Sequence, residues 1–134
     1  MDSVIKLYQS FPKYKNHSYQ DIYYHILPSI NYNQYKKFED NKGLYGFVNW
    51  AFLSEAIESE YKKNGLIYKT EWKSGNQLWL QDILILRNPK TVMSWVYNYF
   101  KKFLNVDQAI HWLRLDSNNN IYRISKKYKR EFHK

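Results

Sequence analysis

The sequence predicts an α+β domain, a mostly antiparallel sheet flanked by helices. Two observations carry this. Apolar residues recur at helical spacing in three separated segments, and runs of aromatic and β-branched residues face one another across turn-forming clusters. A third, the 19% aromatic content, opposes disorder by supplying burial enough to offset chain entropy. The 134 residues fit one domain able to bury a core, so 1–134 is read as a single unit.

Taken in order, Tyr19, Ile22, Tyr23, Ile26, Leu27 and Ile30 form one apolar stripe of a helix. Ser18 is placed to cap it, Asp21 suits its positive end, and Pro28 should end or kink it. Gln34–Glu39 and Leu44–Leu53 flank Asp40-Asn41-Lys42-Gly43 and read as a hairpin. Ser54–Lys63 reads as a short helix capped by Ser54 and stopped near Asn64-Gly65. Ile67–Trp72 and Leu78–Leu86 read as strands around Ser74-Gly75-Asn76. Asn88-Pro89 opens a helix whose apolar positions are Val92, Trp95, Val96, Tyr99, Phe100 and Phe103. Ala109–Asp116 and Ile121–Ser125 close the domain as a hairpin around residues 117–120, and the basic tail 126–134 is expected to fray. An N-acetyltransferase-like architecture fits that order.

The formal net charge of +9 favours an acidic partner: nucleic acid, anionic membrane or acidic protein. Cysteine is absent, which excludes a disulfide framework, a thiolate nucleophile and Cys-ligated zinc, and suits a cytoplasmic setting. Residues 1–14 carry no signal-peptide core, and no apolar run is long enough to predict a membrane span.

Five ordered segments carry a resemblance. They are Ile26-Leu27-Pro28-Ser29-Ile30 with Asn33-Gln34-Tyr35; Val48-Asn49-Trp50-Ala51-Phe52-Leu53-Ser54; Glu71-Trp72-Lys73-Ser74-Gly75-Asn76; Trp79-Leu80-Gln81-Asp82; and Arg114-Leu115-Asp116. In order and spacing they resemble the RTX toxin-activating lysine acyltransferases over roughly residues 10–125. The resemblance implies transfer of a fatty acyl group from acyl carrier protein to lysine side chains of a protoxin. It implies a histidine and an aspartate as catalytic groups, no metal and no cofactor beyond the acylated carrier. Acyl carrier protein and the protoxin are the implied partners, and a homodimer is left open.

Asp82 matches the family's aspartate. Ungapped alignment from Leu27-Pro28 puts Tyr14 where the family has its histidine and Lys15 at the following arginine. A phenol titrates near 10 and is no base at neutral pH. The expected base is therefore His17, three residues on, with Tyr14 beside the substrate. His25 reads instead as a solvated i, i+4 partner of Asp21. Arg114, inside an apolar strand, is expected to bind a substrate carboxylate or phosphate, or to pair with an acidic neighbour. Leu86-Arg87-Asn88-Pro89-Lys90-Thr91 has no glycine, and its proline lacks an N–H. That argues against the backbone cradle by which coenzyme A is commonly held. Lys62, Lys63, Arg87, Lys90, Lys101 and Lys102 are the candidate contacts for an acidic carrier protein.

Two other readings compete. One is a catalytically weak or inactive relative that still binds carrier or toxin. The other is a single-stranded nucleic-acid binder using basic and aromatic residues. Core spacing of the aromatics and the lack of an RNA-binding signature weigh against the second, so no nucleic-acid partner is expected.

Overall fold

The computed structural model describes residues 1–116, 118 and 120–132. Helix α1 (Asp2–Gln9) leads through a 3-10 turn, Pro12–Tyr14, to α2 (Tyr19–Asn31). Strands β1 (Tyr35–Asp40) and β2 (Gly43–Leu53), helix α3 (Glu55–Asn64), strand β3 (Gln77–Ile85) and helix α4 (Pro89–Phe100) follow. Strands β4 (Ala109–Leu115) and β5 (Ile121–Tyr128) and a last 3-10 turn, Lys129–Glu131, complete the chain. The sheet runs β1-β2-β3-β4-β5. All neighbours are antiparallel except β3 and β4, which are parallel, meet at the single pair Trp79 and His111, and are joined through α4. The α+β, N-acetyltransferase-like architecture read from the sequence is the one observed.

Two layers cover the sheet. On one face α4 buries Val92, Val96 and Phe100 against Val48, Trp50, Leu78, Leu80 and Ile110. On the other, α1 and α2 pack Val4, Ile5, Tyr8, Ile22 and Ile26 against Phe47 and Leu84, while α3 closes over Trp79 and Leu53 with Tyr61. Each large apolar side chain fully withdrawn from water contributes roughly 1.5–3 kcal/mol, so both layers are held firmly to the sheet.

Helix starts follow their chemistry. Ser18 Oγ accepts from the Asp21 N–H at 3.0 Å and Ser54 Oγ from the Ile57 N–H at 3.1 Å. Gly65 takes a left-handed conformation, φ 71°, at the end of α3. The hairpin turn closes with Gly43 at φ 110°, a conformation that favours glycine.

Several expectations are corrected. Pro28 does not end α2, which runs on to Asn31. Ile67–Trp72 is not a strand. Beyond Asn49, the edge of β2 opposite β3 has lost β1: the Trp50 N–H donates to Gln34 O, the Phe52 N–H donates to Trp72 O, and the Phe52 carbonyl accepts from the Ser74 and Gly75 N–H groups. Gly75 is required at this crossing, since a Cβ there would lie 2.5 Å from Ser54 Cα. The tail does not fray where expected. β5 extends to Tyr128, and Phe132 is buried against Tyr97. Of the predicted closing turn, Ser117 and Asn119 lie outside the described residues, as do His133 and Lys134 of the tail. Asp116 Oδ1 accepts from the N–H groups of Asn118 and Asn120. Helix α1 was not anticipated, although Val4, Ile5, Leu7 and Tyr8 carry its apolar face.

Candidate active site

A carboxylate is placed inside the molecule by a fault in strand pairing. Asn49 pairs with Asp82 and Trp50 with Leu80, so Gln81 has no partner across β2. This bulge changes the parity of β3. Leu78 and Leu80 face α4, but Asp82 and Leu84 face α1 and α2. Strict alternation would have driven the carboxylate into the apolar layer under α4.

Asp82 is 7% exposed and both of its carboxylate oxygens are engaged. Tyr14 Oη donates to Oδ1 at 2.7 Å, and Tyr8 Oη donates to Oδ2 at 2.8 Å. His25 Nε2 also lies 2.8 Å from Oδ2. The Asp82 N–H donates to Asn49 Oδ1 at 2.8 Å, and Asn49 Nδ2 donates to Ser29 Oγ at 3.1 Å. Ser29 is fully buried and donates to Ile26 O. One polar chain thus ties α2 to β2 and β2 to β3.

The charges follow from these contacts. Burial works to raise the Asp82 pKa, but the His25 charge and the donated hydrogen bonds outweigh it and bring the carboxyl down to about 2. For His25, burial works to lower the pKa and the Lys13 ammonium acts the same way. The Asp82 carboxylate outweighs both, so the net shift is upward. Tyr14 and Tyr8 are pushed above the phenol range by burial and by the Asp82 charge, so each stays a protonated donor. Because Nε2 faces a carboxylate it must carry a proton. In the neutral ring Nδ1 therefore keeps the free lone pair. The His25 side chain is 41% exposed, and Asp82 also lines a cleft of about 270 Å³ between Phe11–Tyr14 and Gln81–Leu84.

The imidazole beside Asp82 is therefore His25, not His17. After Pro12–Tyr14 the chain turns, with the His17 N–H on Tyr14 O, and the His17 ring rests edge-on against the Tyr14 ring with centroids 5.4 Å apart. Helix α2 then runs back over the site and delivers His25 about two turns from its start. Tyr14, which the ungapped alignment sets at the histidine position, reaches Asp82 as a phenol donor. His25 is exposed as expected, but its partner is Asp82 across the fold and not Asp21 on its own helix. The buried line of α2 is Ile22, Ile26 and Ser29, which brings His25 to the flank facing β3. Arg114 is not drawn into this group. Its Nε donates to Ser125 Oγ at 2.7 Å and its guanidinium lies over Trp112. Neither Asp82 nor Asp116 is its partner in an ion pair. Tyr8, Asn49 and Ser29 were missed altogether. Several candidate carrier contacts are engaged within the chain: Arg87 pairs with Asp40, Lys62 with Glu58 and Lys63 with Glu60. Among the described residues no group of three or more His, Cys, Asp or Glu side chains could hold a metal ion. No described helix is long and apolar enough to cross a membrane.

Fold and site together define an N-acetyltransferase-like domain with a carboxylate-bound imidazole. Residues 1–129 match the model of the RTX toxin acyltransferase family, and the chain belongs to that family. It is also 31% identical, over 83 residues, to the lysine-acyltransferase RtxC of Vibrio cholerae serotype O1, a match covering 60% of this chain and 54% of the relative. The chain thus spans about half the length of the curated relative it matches.

Proposed function

We propose that this chain transfers a fatty acyl group from acyl carrier protein to lysine side chains of a protoxin, with His25 as general base and Asp82 as the group that orients it. The observation that carries the reading is the 2.8 Å contact between His25 Nε2 and Asp82 Oδ2, with Asp82 also lining a cleft.

A lysine amine is protonated at neutral pH and must lose a proton to attack a thioester. Asp82 fixes the tautomer in which Nδ1 is free, and its charge stabilises the imidazolium that forms. Tyr8 and Tyr14 hold both carboxylate oxygens, so Asp82 cannot turn away from the ring. The ammonium first gives one proton to solvent, and Nδ1 takes a second as the free amine nitrogen bonds to the carbonyl carbon. The proton then passes to the sulfur as the carbon–sulfur bond breaks, leaving an amide and a thiol. A protein-borne donor is favoured over coenzyme A by the segment before α4. Arg87 is committed to Asp40 there, and Pro89 lacks an N–H. The +9 charge suits an acidic carrier protein and a cysteine-free chain suits the cytoplasm.

The test incubates the chain with long-chain acyl-acyl carrier protein and a lysine-bearing protoxin fragment, then weighs the products. One added acyl group per modified lysine, lost in His25→Ala, supports the reading. Carrier or toxin binding without transfer establishes the inactive relative instead.

A further inference from the structure

We propose that Gln81 supplies the side-chain donor that receives the thioester carbonyl oxygen as it becomes an oxyanion, an inference that rests on the acyl-transfer reading above. Gln81 is the bulged residue of β3, left without a partner on β2. Its Oε1 accepts from Tyr61 Oη at 3.2 Å, which fixes the amide from α3. Its Nε2 is buried and has no hydrogen-bond partner among the described residues. The residue lines the same cleft as Tyr14 and Asp82.

A buried amide without an acceptor is unfavourable, and folded proteins retain few. Leucine or methionine would remove that unpaired donor, leaving Tyr61 Oη without its acceptor. An N–H₂ group held in place and left unpaired is what a developing negative charge requires, because it needs no reorganisation when the charge arrives. The bulge sets two neighbouring side chains to two tasks: Asp82 holds the base, and Gln81 meets the carbonyl oxygen. As the lysine nitrogen bonds to the carbonyl carbon, the C=O π pair moves onto oxygen and Gln81 donates to it. The pair returns as the carbon–sulfur bond breaks, and the thiolate leaves with the proton that His25 had taken.

The test is steady-state kinetics of Gln81→Met and Gln81→Glu with long-chain acyl-acyl carrier protein and a lysine-bearing protoxin fragment, alongside thermal melts. The expected result is a fall in kcat of about 100- to 1,000-fold for Gln81→Met, with donor KM within about threefold of wild type. Gln81→Met removes the unpaired donor but also the acceptor of Tyr61 Oη, so its melting temperature is expected to stay within a few degrees of wild type. Gln81→Glu keeps the shape and places an acceptor where the donor stood, so it should fall at least as far. Undiminished kcat in either variant, or a loss confined to KM, overturns the proposal. So does a loss that tracks a lowered melting temperature in both variants. An active wild type with indifferent Gln81 variants removes this inference alone. A wild-type chain that transfers no acyl group removes the underlying reading as well.

Discussion

Replacing Asp82 by asparagine keeps the side-chain shape and removes the charge. In the native site Oδ2 accepts from both Tyr8 and His25, and Oδ1 accepts from Tyr14. A carboxamide turns one of these acceptors into a donor. If the NH₂ takes the Oδ2 position, His25 must accept at Nε2, and its proton moves to Nδ1, the nitrogen needed as base. We expect kcat to fall by about 100- to 10,000-fold, the usual range for general base catalysis, with little change in fold. The carboxyl titrates at about 2 in the fold against an ordinary 3.8. That difference corresponds to about 2 kcal/mol of native stability at neutral pH, or roughly 5–8 °C in Tm for a chain of this size. The sign is fixed by the direction of the shift. This stability is present above the unfolded carboxyl pKa and is lost as pH falls through the folded value of about 2. His25, whose pKa is raised, contributes fully below the unfolded histidine value and loses its share as pH rises through its folded value. The gap between wild type and Asp82→Asn should therefore be widest from about pH 4 to 6.5 and close toward pH 2. Thermal melts across pH, with single-turnover transfer rates, measure both effects. An Asp82→Asn protein with wild-type turnover, or ¹⁵N shifts showing the neutral His25 ring of the wild-type chain protonated at Nδ1, would refute the reasoning.

Four further outcomes follow from the same geometry. His25→Ala should lose transfer by about 100-fold or more, while His17→Ala should stay within a few-fold; the reverse pattern would return the base to His17. The rising limb of kcat against pH should lie above the ordinary histidine value, because the Asp82 charge holds the His25 pKa up. Lys13→Glu removes a cation that lowers that pKa and should move the limb to still higher pH. Asn49→Leu should cost about 1–3 kcal/mol in denaturant melts, since the buried Asp82 N–H loses its acceptor. Gly75→Ala should be destabilised by about 1–3 kcal/mol or more, because the added carbon meets Ser54 Cα at 2.5 Å; an unchanged Tm would show that the crossing can relax.

What the sequence determined by itself was the local and the patterned. Ser18 and Ser54 announced helix starts, Pro89 opened α4, and Gly43 closed a hairpin, because each acts on backbone groups within a few residues. The motif around Trp79 and Asp82 singled out the carboxylate, and the ordered motifs pointed to the family that the chain belongs to. Tertiary structure decided the rest of the site. The bulge at Gln81 exists only because β2 and β3 pair with a slip, and that slip decides which face Asp82 joins. Ser29 is buried against Asn49, twenty residues away, and His25 on the same helix meets Asp82. An apolar period cannot register a buried hydroxyl, nor can it tell which of two histidines a helix will bring back over the sheet. The contact between His25 and Asp82 spans 57 positions, and no local propensity reaches that far.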